Sequence, residues 1–151
     1  MSNLRIRPLA ICVFHRDGRI LVNEAVDNAA RTRYFRPLGG GIEFGERATS
    51  AAEREIREEI GAEIKELQLL GTLENIFTHQ GQLGHEIVFV FDGRFRNEAL
   101  YSKPHLEGRE SNGEPLKAVW RTRDCFSANS PLYPNGLLEL LQSRGLLTSE
   151  A

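Results

Sequence analysis

Runs of apolar residues with alternating or continuous character mark most of the chain as strand. Residues 5 to 14 carry Ile6, Leu9, Ile11 and Val13 and predict a strand, and Asp17-Gly18 is a two-residue turn signal. Ile20-Leu21-Val22 then reads as the return strand of a hairpin. Residues 27 to 33 are polar and predict a loop, followed by a short strand over 34 to 38 that leads into glycines. Further strand is expected over 64 to 73 and 76 to 78, with a turn at Gly81 to Gly84. Ile87-Val88-Phe89-Val90-Phe91 is continuously apolar, the pattern of a strand covered on both faces. Residues 97 to 114 are polar, contain Pro104, Gly108 and Gly113, and predict a long mobile loop before a short strand at Ala118-Val119-Trp120. Residues 134 to 144 predict a terminal helix with Leu137, Leu138, Leu140 and Leu141 as its buried stripe. Mixed strands with one acidic and one apolar helix predict an α/β sandwich.

The acidic helix is the informative one. The spacing predicts a helix over 48 to 60, closed by Gly61 in the left-handed conformation, with Thr49 or Ser50 as its cap. At about 100° per residue, Ala48, Ala52, Ile56 and Ile60 form an apolar arc, and Arg47, Glu53, Arg54 and Arg57 the opposite, solvated one. Glu55 and Glu59 fall on the Ala48 side of the apolar arc, with Glu58 beside them. Three carboxylates at i, i+3 and i+4 repel one another by a few tenths of a kcal/mol per pair, roughly. A hard divalent cation removes that penalty and is commonly shared with substrate phosphates. An ordinary acidic helix would turn these residues to solvent; placing two of them beside alanines predicts a cleft with room for an ion.

The segment before this helix reads Arg36-Pro37-Leu38-Gly39-Gly40-Gly41-Ile42-Glu43-Phe44-Gly45-Glu46. Successive glycines let backbone approach a ligand closely, and a loop feeding a helix can turn backbone groups toward phosphate. From Gly40 to Ala62 the chain resembles the Nudix box, G-x5-E-x7-R-E-U-x-E-E-x-G-U with U apolar. Gly40, Glu46, Arg54, Glu55, Ile56, Glu58, Glu59, Gly61 and Ala62 each fall on a fixed position. The family often has Leu-Pro-Gly-Gly where this chain has Pro37-Leu38-Gly39-Gly40.

The resemblance implies a Nudix-type α/β/α sandwich, with a mixed sheet held between helices. It also implies a hydrolase, dependent on Mg²⁺ or Mn²⁺, that cleaves nucleoside diphosphates linked to another moiety. Glu55, Glu58 and Glu59 are then the metal ligands. Arg54 pairs with Glu58 four residues on and orients it, and Glu46 supports the site through hydrogen bonds or metal-bound water. Arg36, Gly39, Gly40 and Gly41 lie on the substrate side. Water attacks phosphorus and a nucleoside monophosphate leaves. The family places its general base variably, within the box or on a distant loop. Glu114, six residues before Trp120, is the distant candidate here, with Glu110 and Glu86 as competitors. The alternative is a non-catalytic nucleotide or ADP-ribose binding module on the same fold, although such relatives tend to lose box glutamates. Some substrate groups carry a proline or tyrosine a fixed distance after the box. Neither stands near residues 77 to 79, which points away from ADP-ribose and diadenosine polyphosphates.

Length and composition narrow this little further. A chain of 151 residues, 40% hydrophobic and 26% charged, is expected to be one soluble domain over its whole length. A net charge of −2 leaves no basic footprint for duplex nucleic acid. Cys12 and Cys125 make neither a disulfide framework nor a zinc site, and Cys12 reads as a small core residue. With no signal peptide or membrane span legible, a cytoplasmic location is expected, with a small nucleotide as partner and a homodimer left open. Trp120, Tyr34, Phe35 and Phe77 read as core before base-stacking platforms, and His79 and His85 as ordinary surface or core histidines. Arg31, Arg33 and Arg36 either steer an anionic phosphate or merely solvate a loop.

Overall fold

The computed structural model describes residues 4–148. Nine strands and two α-helices follow in the order β1 (Ile6–Val13), β2 (His15–Arg16), β3 (Arg19–Asp27), β4 (Thr32–Arg36), β5 (Leu38–Gly41), α1 (Ala48–Ile60), β6 (Ile64–His79), β7 (Gln82–Phe95), β8 (His105–Arg109), β9 (Pro115–Arg121) and α2 (Leu137–Ser143). One sheet has the order β5-β1-β7-β6, with β1 and β7 parallel and the other pairs antiparallel. The second is antiparallel, ordered β2-β3-β9-β8, with β4 also pairing β3.

The period of two in the strands explains the layers. On β1, Leu9, Ile11 and Val13 join a core cluster with Val88, Val90, Val22 and the α2 residues Leu137 and Leu141. The alternate residues Ala10 and Cys12 join Leu21, Phe91, Ala118 and the α1 residues Ala51, Ala52 and Ile56. The central strands are thus covered on both faces, as the apolar run at residues 87 to 91 predicts, and two sheets share the layer between the helices. Cys12 is fully buried in this core.

Helix α1 has the predicted bounds, and Gly61 caps it at φ 68° with its N–H on the Arg57 carbonyl. Its start differs: Arg47 is the N-cap without a side-chain bond, and Thr49 and Ser50 lie inside the first turn. Three other expectations need correction. The glycines after Leu38 are a strand, not a loop, because β1 supplies a ladder partner for each of Gly39, Gly40 and Gly41. Residues 64 to 79 form one strand that absorbs its irregularities in two register shifts, and the turn into β7 sits at Gln80 and Gly81, both with positive φ. Residues 97 to 114 are not one loop. A 3-10 turn over Glu98–Ser102 is followed by β8, whose Gly108 packs so close to the Glu59 carbonyl that a Cβ would collide with it. That contact holds the β8–β9 hairpin against the end of α1.

Candidate active site

Strand β5 is fastened to α1 by two contacts to its glycine backbone. Gly39 N–H donates to Glu59 Oε1 at 2.9 Å, and the Gly41 carbonyl accepts from Arg54 Nη2 at 2.9 Å. Between them, Gly40 lies against the Glu55 carboxylate, which a Cβ at residue 40 would meet at 2.5 Å. Gly39 has φ 147°, and a Cβ there would collide with the Ala10 carbonyl oxygen. The glycines thus permit close approach by the helix on one side and by β1 on the other.

Arg54 is the hub of the carboxylates. Its Nε and Nη2 hold Glu46 in a bidentate pair at 2.8 and 2.9 Å, the strong geometry for guanidinium and carboxylate. Its Nη1 donates to Glu55 at 2.9 Å and to Glu58 at 3.3 Å. The pairing with Glu58 is therefore present, but Glu46 is the principal partner. The Arg54 hydrogen bonds and the Glu43 N–H hold the Glu46 carboxyl down at about 2, and the Glu46 bond in turn raises the Arg54 pKa.

Glu59 has the opposite character. Burial pushes its carboxyl up to about 8, and the charges of Glu55 and Glu110 push the same way, against the Gly39 N–H and Arg36. It faces a cleft of about 650 Å³. Glu55, Glu59 and Glu110 line that cleft together with Arg5, Arg7 and Arg36. The lining thus combines carboxyl oxygens suited to a hard cation with guanidiniums suited to the anion it would neutralise.

The predicted site residues divide on this geometry. Arg36, Gly39, Gly40, Gly41, Glu55 and Glu59 all line the cleft, whereas Arg54 and Glu46 stand behind it. The Glu58 side chain is 58% exposed, against 14% for Glu55. Among the described residues, no three His, Cys, Asp or Glu side chains are grouped closely enough to hold an ion. A divalent cation would have to compete with Arg54 for Glu55 and Glu58. The donor set nonetheless suits one: it is all oxygen, Glu59 can give up its proton to bind, and a glycine cradle leaves the Glu55 carboxylate its space. Glu114 does not line the cleft. It sits at the turn of the β8–β9 hairpin, where its carbonyl accepts from Glu110 N–H and its own N–H donates to Asn112. Glu110 is the hairpin acid that reaches the cleft, with Asn23 Nδ2 at 3.4 Å from its carboxylate. Asn23, Arg5 and Arg7 are cleft residues that the motif does not reveal. Alternation in β1 does carry a signal, since it places Arg7 on the face of Leu9 and Ile11. Trp120 packs on Tyr101 and donates Nε1–H to the Lys103 carbonyl at 3.0 Å, a structural role.

Comparison with known proteins identifies this sandwich whose glycine strand is fastened to an acidic helix. The chain belongs to the Nudix family: the NUDIX domain model matches residues 4–124. The NAD-capped RNA hydrolase NudC of Mycobacterium tuberculosis is 32% identical over 122 residues, covering 80% of this chain and 34% of that protein. The NudC of Mycobacterium bovis matches to the same extent. The chain thus spans about a third of the length of these relatives. Among solved structures, the E. coli ORF135 protein has a TM-score of 0.57 at 21% identity, covering 95% of this chain and 93% of its own. A MutT Nudix hydrolase from Burkholderia pseudomallei has a TM-score of 0.55 at 23% identity, with 91% and 98% covered. These likenesses show the same fold.

Proposed function

We propose that this protein is a divalent-metal-dependent hydrolase that cleaves the pyrophosphate linkage of a nucleoside diphosphate derivative. The observation that carries the reading is that one cleft is lined both by the carboxyl groups of Glu55 and Glu59 and by the guanidiniums of Arg5, Arg7 and Arg36. Glu55, Glu58 and Glu59 would hold Mg²⁺ or Mn²⁺. When bound, such an ion neutralises charge on phosphate oxygens and makes water more acidic.

The chain's own residues have separable tasks. Arg7 and Arg36, in the lining of the same cleft, position the phosphates and raise their local concentration. Arg54 and Glu46 fix the helix side of the cleft by tying Glu55 and the Gly41 carbonyl into one hydrogen-bonded unit. Glu110, exposed to the cleft from the hairpin, takes the proton of the attacking water at a carboxylate oxygen. Glu114 lacks that access, so Glu110 replaces it as the distant base in this reading. The same reading places the enzyme in the cytoplasm with a small nucleotide substrate.

A panel of nucleoside triphosphates, nucleotide sugars, dinucleotides and NAD-capped RNA, incubated with Mg²⁺ and scored for both products, tests the proposal. The expected result is a nucleoside monophosphate plus the complementary phosphate from at least one substrate. Saturable binding of a nucleotide without turnover of any panel member would instead establish the binding-module alternative.

A further inference from the structure

Beside the carboxylate cleft lies a second cavity of about 440 Å³, and the two share Arg7, Arg36 and Pro37 as a common wall. Its size lies within the usual range for a small-molecule site. Aromatic rings form one side. Tyr34 meets His79 edge-on with centroids 5.7 Å apart and Tyr133 at 5.6 Å. The Phe77 ring lies across Gly84, in space that a Cβ would fill. Flat π-faces beside a phosphate-binding wall suit a nucleobase.

The polar groups of this cavity narrow the choice of base. Asp27 is already committed, since its carboxylate accepts from the N–H groups of Ala29, Ala30 and Gln80. Asn75 is committed at both ends, donating to Glu86 and accepting from Asn135 N–H. Glu86 is 5% exposed, and among the described residues its carboxylate is held by Asn75 Nδ2 at 3.2 Å and a looser approach of Arg7 at 3.9 Å. Its two oxygens can accept about four hydrogen bonds, so a buried carboxylate with unused acceptors lines an aromatic-walled cavity.

We propose that this cavity is a purine pocket in which Glu86 reads guanine through its adjacent N1–H and 2-amino donors. Two donors side by side match two carboxylate oxygens. Hypoxanthine offers the N1–H alone, and adenine turns a lone pair at N1 toward the carboxylate. With the base so placed, Arg7 and Arg36 at the shared wall receive the first phosphates, and the remaining chain runs into the carboxylate cleft. The inference rests on the hydrolase reading for that direction, but the pocket itself can be tested without catalysis.

The test is calorimetric titration of the full chain with GMP, IMP and AMP in EDTA. GMP should bind at least about fivefold more tightly than either competitor, the lower end for one bidentate pair. Glu86→Gln replaces one acceptor by a donor and should reduce that preference to less than about twofold. A smaller GMP preference in the wild type, no binding of GMP, or a preference that survives Glu86→Gln overturns the proposal. The wild-type comparison stands even if the variant misfolds. Selective GMP binding with no Mg²⁺-dependent turnover of any substrate would sink the hydrolase reading alone. Turnover with unselective binding would sink the guanine pocket alone.

Discussion

The carboxylate of Glu55 occupies the space that a Cβ on Gly40 would need, at a separation of 2.5 Å. This relationship gives the glycine of the motif a purpose distinct from that of its neighbour. Gly40 has no positive φ, and the nearest atoms an alanine there meets belong to the movable Glu55 side chain; Gly39 combines φ 147° with the fixed Ala10 carbonyl. Gly40→Ala should therefore fold within about 1 kcal/mol of wild type and lose most activity as Glu55 is displaced. Gly39→Ala should lose more than about 2 kcal/mol of stability. Urea unfolding beside a hydrolysis assay distinguishes the two, and equal stability losses would refute the distinction.

Arg54 is the joint between the loop, the helix and the glycine strand, and it works through fork geometry. Lysine keeps the charge but cannot bridge both oxygens of Glu46 while also reaching Glu55 and the Gly41 carbonyl. Arg54→Lys should cost about 1–3 kcal/mol, the scale of one or two lost charged hydrogen bonds, and lower kcat more than it raises KM. A variant with wild-type stability and kinetics would reduce the Arg54 network to a surface ion pair.

Glu59 sets a pH dependence that metal-free buffer should reveal. Its carboxyl is held at about 8, above the ordinary value of 4.5, because burial disfavours the charged form. Between those values the folded protein binds more protons than the unfolded chain. The stability from this group is complete below about 4.5 and is lost as pH rises through about 8. In EDTA, Tm should therefore fall from pH 5 to 8.5 more steeply in wild type than in Glu59→Gln, and Mg²⁺ at pH 8.5 should restore it. Parallel curves for the two proteins would contradict the assignment.

The hairpin acids provide a direct comparison. Glu110 faces the cleft, and Glu114 holds the turn through its backbone. Glu110→Gln should lower kcat by about 10²–10⁴-fold with little change in KM, and flatten the acidic limb of the rate–pH profile. Glu114→Gln should stay within about threefold of wild type, the range expected of a side chain outside the reacting centre. The reverse result would return the role to Glu114.

Much of the candidate site is legible in the sequence because it is local. Gly40, Glu46, Arg54, Glu55 and Glu59 lie within one short stretch, and helical periodicity alone placed Glu55 and Glu59 on the buried side of α1. What was not legible depends on partners distant in sequence. A glycine run reads as a loop until β1 supplies its ladder. Residues 105 to 109 read as mobile until Gly108 packs on the end of α1. Arg7 and Glu86, nearly eighty residues apart, become neighbours only through the parallel pairing of β1 with β7, a contact that no local pattern announces. Spacing from Trp120 points to Glu114, whereas the cleft lining includes Glu110, its partner across the hairpin turn, and not Glu114.

In the proposed reaction the acidic face of α1 acts with a divalent cation. The most direct measurement is the turnover of one hydrolysed nucleotide substrate by wild type and by Glu58→Gln, each in Mg²⁺ and after complete chelation. Wild type should turn over only with the metal present. Glu58→Gln should be about 10²–10⁴-fold slower, the scale of a positioned catalytic group, while remaining folded. Equal turnover by wild type in Mg²⁺ and in chelator, or near-normal turnover by Glu58→Gln, would contradict the account.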